Sequence, residues 1–245
     1  MNGIIDFHSH ILPGMDDGAR DMETALHMAD MAVQSGVSAM VVTPHCVSDR
    51  VEQVRDRLAE LRSAVRAERI PIRLYSGMEI FGRPDTAALL REGRLLTING
   101  SRYPLIEFAF DTDGDEETAV LQSVIRAGYI PLVAHPERYR CIQEDPEQVN
   151  LWARMGCRFQ VNRGSLLGRF GPEAREVAWA LTGRGFATVV ASDSHSATRR
   201  TPWLRDVWEL LEQRLSPAAA MWLLEENPRR IINNERLPSA EPEWF

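Results

Sequence analysis

The chain is short of cysteine, of long apolar runs and of basic charge, and each shortage closes off a class of protein. Its three cysteines, Cys46, Cys141 and Cys157, are odd in number and lack C-x-x-C spacing. That argues against a disulfide framework and a structural zinc knuckle. No apolar stretch approaches the roughly 18 residues that a bilayer span requires, so stable membrane insertion is not expected. The opening Met1-Asn2-Gly3 has neither the basic nor the apolar region of a secretory leader, and a cytoplasmic location is expected. Against 35 acidic residues stand 28 basic ones, a formal net charge of −7, which argues against nucleic acid or an anionic membrane as partner. An anionic substrate would need a local cationic site.

What is present is ordinary globular composition over 245 residues, 44% hydrophobic and 26% charged. That length suits an α/β barrel, which takes about 250 residues as one unit. Short β-rich runs recur at Ile4–Phe7, Ala39–Thr43, Ile72–Met78, Leu105–Phe108, Ile130–Ala134, Arg158–Val161 and Ala187–Ala191. Amphipathic segments lie between them. In the clearest, Val51, Val54, Leu58, Leu61 and Val65 recur at three-and-four spacing and so share one helical face. Gly36, Gly128 and Gly156 stand where helix C-caps would precede the next strand. The alternation predicts parallel β/α units in a single domain over 1–236, followed by a loose tail over 237–245 rich in proline and glutamate.

Five of the six histidines fall at or just past the predicted strand ends: His8, His10, His45, His135 and His195. Glu79, Glu107, Asp193 and the pair Asp16-Asp17 share that placement. In a β/α barrel all strand C-termini open on one face, so these residues should converge there. The H-x-H of β-strand period two would put both imidazoles on one side, suited to one ion. His27 lies inside a helical pattern and reads as structural. Nitrogen and oxygen donors without thiolate favour manganese, iron or zinc, and more donors than the roughly four of a closed single-ion site imply two or three ions. Such a centre would activate hydroxide for attack on a phosphoryl group. Arg138 and Arg200, each just past a ligand-bearing strand, are the candidates to clamp the phosphate, since guanidinium matches it with two parallel hydrogen bonds. Asp17 and His45 are the candidates for proton transfer.

A rival chemistry is suggested by Cys157 and Arg163, which match the C-x5-R pattern of cysteine-dependent phosphatases. That chemistry needs a tight phosphate-wrapping loop. The intervening residues have no glycine and read as a strand, which would hold the two about 20 Å apart. Cys46, beside His45, reads as a packing residue or a minor ligand candidate.

The segment Asp6-Phe7-His8-Ser9-His10-Ile11-Leu12-Pro13-Gly14-Met15-Asp16-Asp17-Gly18-Ala19 resembles the opening of the polymerase and histidinol phosphatase (PHP) superfamily, specifically the manganese-dependent bacterial protein-tyrosine phosphatases of the CpsB/CapC capsule type. Thr43-Pro44-His45, Gly77-Met78-Glu79-Ile80, Leu105-Ile106-Glu107-Phe108, Ala134-His135-Pro136-Glu137-Arg138-Tyr139, Gln160-Val161-Asn162, Ala191-Ser192-Asp193-Ser194-His195 and Asn227-Pro228-Arg229-Arg230 extend the likeness over nearly the whole chain. The resemblance implies a distorted TIM-like (β/α)7 barrel with a three-metal centre. It assigns His8, His10, Glu79 and Asp193 to one ion, Glu79, Glu107 and His135 to another, and Asp17, His45 and His195 to the third. It also implies a phosphotyrosine-bearing partner, an autophosphorylating bacterial tyrosine kinase that governs capsule or exopolysaccharide synthesis. Arg163-Gly164-Ser165 departs from the pattern, which has small polar residues there. Two other readings are a small-molecule phosphatase of the same fold, such as a histidinol phosphatase, and a catalytically silent metal-binding regulator.

Overall fold

Nine parallel strands form the frame of the protein in a computed structural model that describes residues 3–46, 49–238 and 241–245. They are β1 (Ile4–Ser9), β2 (Val37–Val42), β3 (His45–Cys46), β4 (Arg73–Ser76), β5 (Glu79–Phe81), β6 (Leu105–Glu107), β7 (Leu132–Ala134), β8 (Arg158–Asn162) and β9 (Ala187–Ala191). One sheet runs β1-β2-β4 and the other β3-β5-β6-β7-β8-β9. Because β3 resumes the path of β2, and β5 that of β4, the nine segments occupy seven positions, the number the sequence predicts. Proline at 44 has no N–H to continue the ladder. At Gly77 a Cβ would lie 3.1 Å from side-chain atoms of both Val41 and Ile98, so the backbone passes close there and breaks the second path.

The ends of the series meet at the face where β1 and β9 finish. Asp193 N–H donates to the His8 carbonyl at 3.0 Å and His10 N–H to the Ser194 carbonyl at 2.8 Å, around a parallel bridge between Ser9 and Ser194. Asp6 fastens the same seam by accepting from the Ser192 N–H (3.0 Å) and hydroxyl (2.6 Å). Fold and order agree with the expected distorted TIM-like α/β arrangement.

Alternation divides the apolar side chains between two cores. Ile5, Phe7, Ala39, Val41, Leu105, Leu132, Ala134, Val189 and Ala191 fill the space enclosed by the strands. Met40, Val42, Ile106, Val133, Phe159, Val161 and Val190 face outward beneath the helices. On the helix Val51–Ala67 the five expected residues Val51, Val54, Leu58, Leu61 and Val65 are all buried. The helix Met22–Gln34 starts at Asp21, whose carboxylate accepts from the Thr24 N–H at 2.8 Å, a cap worth about 1 kcal/mol.

The segment 237–245 is expected to be loose, yet its described part makes specific contacts. Glu243 N–H donates to the Arg184 carbonyl at 2.8 Å, and the Phe245 ring stacks on Phe186 at 5.3 Å. Two terminal aromatics, Trp244 and Phe245, give these residues apolar area to bury that their polar neighbours conceal in the composition.

Candidate metal centre

Each strand end delivers its candidate to one site, and β1 does so through a bulge. Between Asp6 and Ser9 that strand advances three residues while β2 advances two, from Met40 to Val42. Phe7 already points inward, so strict alternation would send His8 out toward the helices. The extra residue brings His8 and His10 to the inner side instead.

There His8 Nδ1 lies 2.8 Å from Gln160 Oε1, and His10 Nδ1 lies 2.7 Å from Asp16 Oδ2. A ring nitrogen facing such an oxygen carries the proton, so with a cation bound Nε2 of each ring would be the lone-pair donor; without one, burial lowers the pKa of both rings but the surrounding carboxylates outweigh it and raise it. These two Nε2 atoms are 3.1 Å apart. Each is also 3.1 Å from Glu79 Oε2, and they stand 3.6 Å and 3.5 Å from Asp193 Oδ1. Donors about 2.1 Å from a common ion lie about 3.0–3.4 Å from one another. Glu79 Oε2 and Asp193 Oδ1 are fully buried without a hydrogen-bond partner. Facing lone pairs and orphaned carboxylate oxygens are costly without a cation and favourable around one, so these residues fit a metal.

The remaining candidates extend the cluster. His45 Nδ1 is 2.6 Å from Glu107 Oε1 and 3.1 Å from Glu79 Oε2. Asp17 Oδ1 lies 3.6 Å from His45 Nε2 and 3.4 Å from His195 Nε2. His135 Nε2 lies 2.7 Å from Glu79 Oε1. Three groups therefore have the mutual spacing of metal donors: His8, His10 and Asp193; His45, Glu79 and Glu107; and His10, Asp17, His45 and His195. Eight of the nine candidate residues fall in these groups, and His135 reaches them through Glu79. The grouping differs from the expected one in that His10 also reaches the Asp17 group and His45 joins Glu79 and Glu107, while His135 stays at the edge through Glu79.

Several further groups orient this cluster. Asn162 Nδ2 donates to Asp193 Oδ2 at 2.6 Å, and Gln160 Nε2 donates to Asn162 Oδ1 at 2.7 Å, which turns the Gln160 carbonyl toward His8. Glu137 is buried, and Oε1 accepts from the Asn162 N–H (2.9 Å) and the Ser165 hydroxyl (2.6 Å); burial raises its pKa. Asp16 also accepts from the His45 N–H at 2.9 Å and the Gly18 N–H at 3.0 Å. Burial alone would raise its carboxyl, but the hydrogen bond and charge of His10 outweigh it and hold it at about 2. Asp193 is likewise lowered: burial opposes ionisation, and the charges and hydrogen bonds of His8, His10 and Arg200 overcome it. For His195, burial and the charge of His10 lower the pKa to about 4, so its ring is neutral near pH 7. Asp193 and His135 themselves sit in the left-handed region, at φ 50° and 34°, a strained backbone held by the surrounding bonds.

The two arginines occupy different positions. Arg200 is tied to Asp193, pairing with Oδ2 and donating from Nε to the Asp193 carbonyl at 3.1 Å. Arg138 Nη1 stays 3.8 Å from the same carboxylate, and its guanidinium is stacked by the rings of Phe110 and Phe170. Arg163 is elsewhere: buried, it forks onto Asp206 with Nε 2.7 Å and Nη2 2.5 Å from the two carboxylate oxygens, anchoring the segment after β9. Cys157 precedes β8 while Arg163 follows it, so the C-x5-R pair lies at opposite ends of one strand. Burial pushes the Cys157 thiol up to about 12, and no nucleophilic thiolate forms near neutral pH. Cys46 belongs to the apolar core.

A cavity of about 400 Å³ lined by Gly18, Arg20, Thr24, His27, His195 and Ser196 opens beside the cluster. His27 thus borders this cavity from an exposed helix face, without joining any of the three donor groups. A second cavity, about 430 Å³ and more apolar, is lined by Arg158, Ala187 and the described tail, at the opposite ends of the strands and away from this chemistry.

A distorted β/α barrel that gathers histidines and carboxylates at its strand C-termini defines a barrel protein with a multi-donor candidate metal centre. Residues 4–233 match the family described as "Capsular polysaccharide synthesis, CpsB/CapC", and the chain belongs to that family. It is 31% identical over 244 residues to the tyrosine-protein phosphatase YwqE of Bacillus subtilis (strain 168), covering 98% of this chain and 96% of the relative. It is 27% identical to the tyrosine-protein phosphatase CpsB of Streptococcus pneumoniae over 95% and 99% of the two chains. A solved structure reported for YwqE and CpsB as "unique metal-dependent tyrosine phosphatases" superposes with a TM-score of 0.92 at 31% identity, covering 99% of each chain. A phosphotriesterase homology protein from Escherichia coli shares the fold, with a TM-score of 0.63 at 14% identity over 94% and 98% of the chains.

Proposed function

We propose that the protein is a metal-dependent phosphotyrosine-protein phosphatase, hydrolysing phosphotyrosine to tyrosine and inorganic phosphate. The observation that carries this reading is the convergence of eight His, Asp and Glu donors, joined by His135 through Glu79, with two arginines about Asp193. The metal ligands on this reading are His8, His10, Asp17, His45, Glu79, Glu107, His135, Asp193 and His195, holding two or three Mn²⁺ ions, with Fe or Zn as substitutes. Bound ions of this kind supply Lewis acidity and lower the pKa of water.

The chain's own residues do the remaining work. Gln160 and Asp16 fix the tautomers of His8 and His10, and Asn162 turns Asp193 so that Oδ1 faces the donors. Arg138, only partly neutralised by Asp193, offers its guanidinium to the phosphoryl oxygens, while Arg200 holds Asp193 and adds positive charge beside it. Asp17, the most exposed member of the donor cluster, and His45 stand at the open side, where a proton could pass to the departing oxygen. A phenol leaves with pKa about 10, which makes that proton less necessary than for an alkyl alcohol. No cysteine phosphoenzyme enters, because Cys157 is buried at the far end of β8.

The substrate on this reading is a bacterial tyrosine kinase of the capsule or exopolysaccharide system, and the enzyme is cytoplasmic. Among the described residues no helix is long and apolar enough to cross a membrane. The test is phosphate release by metal-loaded protein from phosphotyrosine peptide, phosphoserine peptide and histidinol phosphate. Preference for phosphotyrosine supports the proposal, preference for histidinol phosphate replaces it with the small-molecule phosphatase, and no turnover leaves the silent regulator.

A further inference from the structure

We propose that Phe110 and Phe170 form an aromatic slot around Arg138 that selects phosphate esters of phenols over those of alkyl alcohols. The inference rests on the phosphatase reading and adds the residues that choose the leaving group. The Arg138 guanidinium carbon lies 4.0 Å from the Phe110 ring centre and 4.3 Å from that of Phe170. Two rings that close to one carbon must take different faces of the planar group, so its edge is what remains for a phosphate.

Both rings are held in place. The Phe110 carbonyl accepts from the Arg140 N–H at 2.8 Å, and its ring stands 5.7 Å from His135, whose Nε2 reaches Glu79. Phe170 lies over Gly164, where an added Cβ would come 2.5 Å from its ring. This explains the departure at Arg163-Gly164-Ser165: glycine leaves room for the ring, and Arg163 is turned away to Asp206. Phe110 is nevertheless 45% exposed, among the largest apolar exposures of the described residues, and its ring stands beside His135 at the edge of the donor cluster.

The ring faces turned toward Arg138 are taken, so a phosphate seated on the Arg138 edge brings its ester group against the exposed outer side of Phe110. A phenyl ring gains aromatic contact there, whereas an alkyl chain presents far less surface. The bland reading is that both phenylalanines only steady Arg138, in which case their loss would weaken all phosphate esters alike.

Competitive inhibition of manganese-loaded protein by benzylphosphonate and ethylphosphonate separates the two, because neither is hydrolysed. With Phe110→Ala the inhibition constant for benzylphosphonate should rise about three- to tenfold, the scale of one aromatic contact. The constant for ethylphosphonate and the metal content should stay at wild-type values, and Phe110→Tyr should restore the benzyl preference. An equal loss for both phosphonates, or none for either, would overturn the slot. Failure of the wild-type protein to release phosphate from phosphotyrosine overturns the phosphatase reading itself, a result independent of the inhibition ratio.

Discussion

Arg138 and Arg200 look equivalent as residues past ligand-bearing strands, and the structure separates them. Arg200 is committed to Asp193, while Arg138 keeps a longer approach and a guanidinium edge available to a ligand. Arg138→Ala should therefore lower kcat/KM on phosphotyrosine peptide by about ten- to a thousandfold, for about 1.5 to 4 kcal/mol of lost charge-assisted binding. Metal content, measured by elemental analysis, should not change. The contrasting His135→Ala should lose metal as well as turnover. Retention of wild-type kcat/KM by Arg138→Ala would transfer the clamp to Arg200. At Cys157 the expectation is negative: Cys157→Ser should keep activity within a few-fold. The thiol ordinarily ionises near 9.0 and, in the fold, at about 12. Its contribution to stability is thus full below pH 9 and is lost as pH rises toward 12. Alkylation at pH 8 should be slow unless the protein is unfolded, and rapid labelling of native Cys157 would contradict the burial.

The nine candidate donors were legible because His, Asp and Glu at strand ends carry their own chemistry. Gln160 and Asn162 were not, since amides are common and their role is only to turn other groups. The signal was nonetheless present: two amides two residues apart place both on the inner face of β8, where buried polar groups require partners.

At the scale of elements, helices and most strands followed from periodicity, while the interruptions did not. The sequence predicts one strand over Ile72–Met78, and the structure has β4 and β5 separated at Gly77-Met78, with Glu79 starting the second piece. Likewise β3 carries His45 only because Pro44 breaks the path of β2. These breaks are set by close approach between neighbours, which single-chain alternation does not encode. The bulge in β1 belongs to the same class, and without it the H-x-H motif would point the wrong way.

The loop after β1 shows how tightly the site is built. A Cβ on Gly18 would lie 2.0 Å from the His10 carbonyl oxygen, a backbone atom that cannot swing aside. Gly18→Ala should displace Asp16 and Asp17 together, lowering stability by roughly 1 to 3 kcal/mol and activity with it. Urea unfolding alongside metal content tests this. An unchanged midpoint with full metal loading would mean that the loop has more freedom than its contacts indicate.

Across the whole molecule, net charge and site charge have opposite signs. The chain carries −7 overall, yet two arginines face the place assigned to phosphate, and all 28 of its basic residues are arginine. On the proposed reading, phosphate binding relies on planar, permanently charged donors set among carboxylates. Much of that negative charge, in Glu79, Asp193 and Asp16, lies buried within the donor cluster. His10 and Arg200 offset part of it, but Glu79 Oε2 and Asp193 Oδ1 are left without a hydrogen-bond partner, so metal dependence is the central claim. The direct measurement is phosphate release from phosphotyrosine peptide by protein dialysed against a strong chelator and shown by elemental analysis to be metal-free, before and after manganese is added back. The account predicts that turnover disappears with the metal and returns with manganese; full turnover by the verified metal-free protein would contradict it.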